Sequence, residues 1–207
     1  MCNLYRMENS ATEVARHFRA LNGAKGSNAG ELVYPGYPGL VVADGMVRSM
    51  SWGFPLERKG KSGKPLKPKP VNNTRTDKLD SFFWRSSFQN RRCIIPVTAW
   101  AEAEGESGAK TRSWFSLPNT DIVAVAGLWR SSDAFGECYS MIMTDAIGIA
   151  ADVHDRMPVL LAEEDWWQWT DGSPDEAKKL CRAWAGALDL DRTQTPWAGG
   201  AVQQSLF

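Results

Sequence analysis

Leu40-Val41-Val42-Ala43-Asp44-Gly45-Met46-Val47-Arg48-Ser49-Met50-Ser51-Trp52 is two strand-like runs joined by Asp-Gly. Asp-Gly between two such runs favours a type I′ turn, whose twist matches paired antiparallel strands. Downstream, Cys93-Ile94-Ile95-Pro96-Val97 reads as a buried strand. Ser113 to Leu117 alternates, Pro118-Asn119 turns, and Ile122 to Trp129 runs back; Tyr139 to Thr144 and Val159 to Leu161 are further candidates. Upstream, Ser10 and Glu13 form a capping box opening a helix, with Val14, Phe18 and Leu21 on its apolar face and Gly23 and Gly26 ending it. His17 beside that face has a structural role. Phe82 to Phe88 reads as a short helix, and Glu163 to Thr170 as another with acids in its first turn, which suits the helix dipole. Ser173, Pro174 and Glu176 open the last helix, with Ala177, Leu180, Cys181, Trp184 and Leu188 as its face. Antiparallel strands with helices outside predict an α+β fold with a curled, barrel-like, mostly antiparallel sheet.

At 207 residues the chain predicts one large domain, residues 1–197, and a loose tail, 198–207. Apolar residues at 43% suffice for a core, and 24 basic against 24 acidic residues leave no bulk field toward nucleic acid. Basic charge is instead local. Arg58, Lys59, Lys61, Lys64, Lys67 and Lys69 are interspersed with Pro65, Pro68 and Pro70, which predicts an extended, solvated loop, either a soluble insertion or an arm that meets phosphates. Two histidines and four separated cysteines give no metal site, and no cofactor is expected. Cys93, Cys138 and Cys181 read as reduced core thiols of a cytoplasmic protein. No run of about 18 apolar residues offers a membrane span.

The chain begins Met1-Cys2-Asn3. Removal of Met1 would leave Cys2 with a free amine and a thiol on adjacent carbons. An α-amine near ~7.7–8.0 and a thiol near ~8.5 are both partly deprotonated at neutral pH. Such an aminothiol condenses with an aldehyde to an imine, then closes a five-membered thiazolidine; an internal cysteine cannot do this. Three other polar spots stand out: Asn73-Thr74-Arg75, Glu102 in a mostly apolar run, and His154-Asp155-Arg156-Met157-Pro158. Partial burial of Glu102 would raise its pKa and suit it to proton transfer, the alternative being a strand carboxylate facing water.

Cys2, Asn73 with Arg75, Glu102, and His154 with Arg156 and Pro158, in that order, resemble the pattern of the SOS-response-associated peptidase family, the abasic-site-processing proteins. Trp52-Gly53 resembles that family's Trp-Gly. The resemblance covers roughly residues 1–170. It implies a protein that binds single-stranded DNA holding an abasic site and captures the opened sugar through Cys2 as a thiazolidine crosslink. Carried over by position, Asn73 would orient the Cys2 amine or the sugar, Glu102 would shuttle protons, and His154 would act as acid or base on the sugar oxygen. Arg75, Trp52, Arg156 and Trp100 would be DNA contacts. The family is credited with removing its own Met1. The sequence departs from the family where Asn3 and Leu4 follow Cys2 in place of Gly-Arg, and where Ala101 and Ala103 replace aromatics. The competing readings are a cysteine peptidase acting in trans and a non-catalytic DNA or clamp adaptor. Separately, Gln203-Gln204-Ser205-Leu206-Phe207 resembles the bacterial sliding-clamp-binding pentapeptide, with Gln203, Leu206 and Phe207 as the contacts. A monomer, nucleoid-associated when bound to DNA, is expected.

Overall fold

The computed structural model describes residues 1–24 and 30–197. In chain order the strands and α-helices begin with β1 (Leu4–Arg6), α1 (Ala11–His17), β2 (Leu21–Asn22), β3 (Leu32–Val33), β4 (Pro38–Ala43) and β5 (Met46–Trp52). Next come β6 (Phe54–Lys59), β7 (Pro65–Val71), β8 (Asn73–Arg75), α2 (Arg85–Asn90), β9 (Arg92–Val97) and β10 (Ala99–Glu104). The remainder are β11 (Thr111–Ser116), β12 (Val123–Ser132), β13 (Gly136–Asp145), β14 (Arg156–Pro158), β15 (Leu160–Leu161), α3 (Trp166–Thr170), α4 (Pro174–Leu180) and β16 (Asp189–Pro196).

The Asp44-Gly45 hairpin forms with both turn residues at positive φ, 50° and 68°, as a type I′ turn requires. It seeds a closed five-stranded barrel in the order β13–β12–β9–β4–β5. β5 and β13 close it in parallel, pairing Ser51 with Cys138 and Trp52 with Tyr139. Closure removes the exposed strand edges of an open sheet. Both faces of the barrel's sheet are packed, with Val41, Ile95, Val125 and Met141 buried on one and Val47, Leu128 and Ile142 on the other.

A second sheet, β16–β11–β10–β1–β3, carries the inward row Tyr5, Trp100 and Phe115 in register. Those rings join the barrel's core, while Leu4, Ala99, Ala101 and Trp114 form a separate cluster on the opposite face. Strand alternation therefore turns Trp100 and Glu102 toward the barrel together.

Both capping boxes are present, Ser10 with Glu13 and Ser173 with Glu176. α1 is nevertheless shorter than expected. Arg19 turns left-handed at φ 53°, and Leu21 leaves the helix to pair with β5, 70% exposed. α4 likewise stops at Leu180, so Trp184 and Leu188 are not on its face. His17 has the structural setting expected of it, its ring packed on Phe18 and Trp166. The basic stretch is not a loop. It is a two-stranded antiparallel ribbon, β6–β7. β16 was missed because Asp189-Leu190-Asp191-Arg192-Thr193-Gln194-Thr195-Pro196 holds a single large apolar residue; its place is set by pairing with β11.

Candidate active site at the amino terminus

The first residues lie where the second sheet meets the barrel. Cys2 precedes β1 and is fully buried. Its carbonyl accepts a 2.7 Å hydrogen bond from Asn73 Nδ2 and a 2.9 Å bond from Asn72 Nδ2. Asn73 is held there because β8 runs parallel to β13, in register with Met141. Asn72 is fixed by its own carbonyl, which accepts from the Trp52 indole at 2.9 Å. Asn72 Nδ2 also donates to Asn3 Oδ1 at 3.0 Å.

The Met1 amine completes the cluster. It lies 2.5 Å from His154 Nε2 and 3.3 Å from Glu102 Oε2, with His154 Nε2 and Glu102 Oε2 4.0 Å apart. β10 supplies Glu102, and the segment just before β14 supplies His154. Residues 2, 73, 102 and 154, expected to act together, meet around one terminus.

Glu102 is only 2% exposed, and its Oε1 has no partner. Burial raises its pKa from 4.5 to about 7, against the opposing pull of the terminal ammonium. The water-facing alternative for this carboxylate therefore does not hold. At neutral pH Glu102 can both give and take a proton.

His154 is pushed the other way, first by burial and then by the cationic amine, so the ring is neutral at pH 7. Its Nδ1 accepts the Arg156 backbone N–H at 2.9 Å and lies 2.8 Å from the Asp155 carboxylate. The first contact suits a bare Nδ1, the second a protonated one. Each tautomer thus has a partner, which lets Nε2 act as donor or acceptor toward the amine.

Burial raises the Cys2 thiol well above its ordinary range, and the nearby Glu102 charge adds to this. With Met1 in place the sulfur is a neutral thiol, donating at 3.4 Å to the Leu4 carbonyl.

Beneath the site lies an aromatic floor. Trp52 meets Tyr5 edge-on at 5.0 Å and stacks on Tyr139 at 6.4 Å; the two tyrosine hydroxyls share a 2.5 Å hydrogen bond. Gly39 is required here by space alone. A Cβ would stand 2.1 Å from the Tyr5 hydroxyl and 2.2 Å from that of Tyr139.

The expected DNA contacts divide. Trp52 and Trp100 are buried, at 0% and 1% exposure, so neither ring has a free face for a base. Their role in the described structure is to hold Asn72 and to pack on Phe115. Arg75 is exposed but engaged twice by Asp77, at 2.8 and 2.9 Å. Arg156 is paired with Asp145 at 2.6 Å. Asn72 and Asn3 were missed; the only sequence signal was the doubled Asn before Thr74-Arg75. Gln203, Leu206 and Phe207 lie outside the described residues. Among the described residues, no cluster of three or more His, Cys, Asp or Glu could hold a metal, and no helix is long and apolar enough to cross a membrane.

Residues 1–195 match the family described as SOS response associated peptidase (SRAP). The chain belongs to that family. This SRAP chain is 31% identical over 106 residues to the abasic site processing protein YoaM of Bacillus subtilis. That stretch is 47% of this chain and 46% of the relative, so the match spans about half the length of each. A crystal structure from Bacteroides thetaiotaomicron is similar over 92% of this chain and 91% of its own, at 19% identity and a TM-score of 0.78. One from Bordetella bronchiseptica covers 93% and 99%, at 20% identity and the same TM-score. A phage-related protein of that organism covers 93% and 94%, at 18% identity and 0.66. At those identities the likeness is one of fold, and the SRAP chain shares it nearly end to end.

Proposed function

We propose that this chain captures abasic sites in single-stranded DNA, in a DNA-damage response, by a covalent bond from Cys2 after Met1 is removed. The observation that carries this is the Met1 amine lying 2.5 Å from His154 and 3.3 Å from Glu102, beside a Cys2 carbonyl held by Asn73. A terminal amine set between a proton-exchanging carboxyl and a neutral imidazole suits amine chemistry. The name of the Bacillus relative agrees with the substrate.

Hydrolysis of the Met1–Cys2 peptide bond consumes one water and frees the Cys2 amine. The amine adds to the aldehyde carbon of the ring-opened sugar, and one water leaves to give an imine. Sγ then adds to the imine carbon, its proton passes to the nitrogen, and the thiazolidine closes. Glu102, near its midpoint at pH 7, gives and takes the protons of addition and dehydration. His154 acts on the sugar oxygen during ring opening. Asn73 fixes Cys2 throughout. Arg75 and Arg156 would exchange their aspartate partners for DNA phosphates, which a guanidinium binds as a fork.

Removal of Met1 is proposed to be the chain's own peptidase activity, through the same Glu102 and His154. A cysteine peptidase acting in trans is disfavoured because Glu102 and His154 are set on the terminal amine, while the Cys2 sulfur donates to the Leu4 carbonyl. The tail residues Gln203, Leu206 and Phe207 are proposed to tether the protein to the sliding clamp; deleting 203–207 should abolish clamp pull-down and leave crosslinking to free oligonucleotides intact.

The test is incubation with a single-stranded abasic oligonucleotide. A shifted band that survives denaturation should form, and should vanish with Cys2→Ala or with one residue inserted before Cys2. Crosslinking that persists in either variant would overturn the assignment.

A further inference from the structure

The β6–β7 ribbon pairs with no other strand, yet it grows out of the site wall. Its second strand ends at Val71, directly before Asn72 and Asn73. Only its root is packed. Phe54 is buried under the Arg130 guanidinium, 4.1 Å from its ring, and Arg130 donates to the Pro55 carbonyl at 3.3 Å. Gly53, at φ 129°, lies so close to Pro70 that a Cβ would approach its ring to 2.5 Å. Beyond the root the ribbon faces solvent.

The register decides what its two faces carry. Leu56 stands opposite Lys69, and Arg58 opposite Leu66. Two residues, Lys67 and Pro68, then oppose the single Glu57, so the irregularity is a bulge on β7. β6 keeps its alternation, which puts Leu56 and Arg58 on one side with their partners. That face therefore carries Leu56, Arg58, Leu66 and Lys69, two cations and two leucines with no acid. Glu57 falls on the other face, with Lys59 and, across the bulge, Lys67. Leu56 and Leu66 are 44% and 46% exposed, and neither Arg58 nor Lys69 has an ion-pair partner among the described residues.

We infer that this mixed face of the ribbon grips the single strand flanking the abasic nucleotide, its two cations on phosphates and its two leucines on unstacked bases. The inference rests on the proposed function and names a contact surface beyond the site itself. An unpaired strand presents both chemistries at once, base faces and charged backbone. A duplex hides its base faces in the stack. The seven residues of β7 span about 23 Å at ~3.3 Å per residue, so the surface would engage nucleotides several positions from the captured sugar.

The test uses the full chain carrying Cys2→Ala, so that no crosslink contributes, and a fluorescently labelled, non-abasic single strand of about 20 nucleotides read by anisotropy. Adding Arg58→Gln with Lys69→Gln should weaken binding about tenfold and lower the log–log salt slope by about 1.4, two phosphates at ~0.7 each. Adding Leu56→Ser with Leu66→Ser should weaken it several-fold and leave the slope unchanged. Lys59→Gln with Lys67→Gln, on the opposite face, should change affinity less than twofold. Binding a duplex of equal length as tightly, losing as much from the opposite face, or showing no measurable single-strand binding would each overturn the inference. The two readings fail separately. Strand binding that depends on this face, without crosslinking by the Cys2 protein, would sink the capture chemistry alone; crosslinking with binding indifferent to the ribbon would sink this surface alone.

Discussion

The terminal site and the β6–β7 ribbon are joined through Asn72, yet they are built on opposite principles. The site takes residues 2, 73, 102 and 154 from four separate parts of the chain and buries Cys2, Asn73 and Glu102. Burial is what moves Glu102 up and His154 down, so its chemistry comes from being withdrawn from water. The ribbon draws on residues 54–71, leaves its charges in solvent, and can act only through screened attraction and two exposed leucines. Substitutions in the first should change rates and pH dependence. Those in the second should change affinity and salt dependence.

The largest effect is expected from Glu102→Gln. Loss of a positioned acid–base group should slow crosslinking by about 10²–10⁴-fold and flatten the pH–rate profile, whose inflection in the wild type should fall near 7. Stability should move the opposite way. The folded pKa of Glu102 is raised from 4.5 to about 7, so the cost of burying its charge is absent below pH 4.5, grows through that interval and is complete above 7. Glu102→Gln should match the wild type at pH 4.5 and exceed it at pH 8, by at most about 3 kcal/mol, in denaturant titrations at the two pH values. A variant that is less stable at pH 8 would contradict the burial account.

Gly39→Ala should come next. Its methyl would collide with two hydroxyls that hold each other, so a loss of about 3 kcal/mol in thermal unfolding is expected. Because Tyr5 and Trp52 support the terminus, crosslinking at saturating DNA should fall with it.

Asn73→Ala and Asn72→Ala each remove one of the two donors to the Cys2 carbonyl. A net hydrogen bond is worth about 0.5–1.5 kcal/mol, so losses of roughly 2–10-fold in crosslinking rate are expected. Asn73, buried and with the shorter bond, should lose more. The smallest effect belongs to the ribbon. Arg58→Gln with Lys69→Gln should leave the unfolding free energy within about 0.5 kcal/mol of wild type, since neither side chain is packed. A larger loss would mean that the ribbon is part of the core, and the contrast would collapse.

What could be read from the sequence follows the same division. Local signals gave the Asp44-Gly45 turn and both capping boxes, because those devices are completed within a few residues. The ribbon was misread for a local reason. Lysine and proline are depleted in strands, and its pairing is fixed by a buried root at Phe54 and Gly53 that propensity does not see. β16 has no apolar alternation and is strand only because β11 offers an edge. Within the site, Cys2, Asn73, Glu102 and His154 were legible through their order and resemblance to a family. The second donor, Asn72, was not, since its value lies in contacts with Cys2 and Asn3 seventy and sixty-nine residues away. Trp52 and Trp100 were expected at the DNA and lie in the core, because an aromatic's type does not say which face of a strand it takes.

The central claim is that Cys2, freed of Met1, carries both bonds to the sugar. Intact-protein mass spectrometry before and after incubation with an abasic oligonucleotide tests it most directly. The account predicts a starting mass lacking Met1, and an adduct equal to protein plus oligonucleotide minus one water, absent in Cys2→Ala. An adduct on a chain that retains Met1, or one that survives Cys2→Ala, would contradict it.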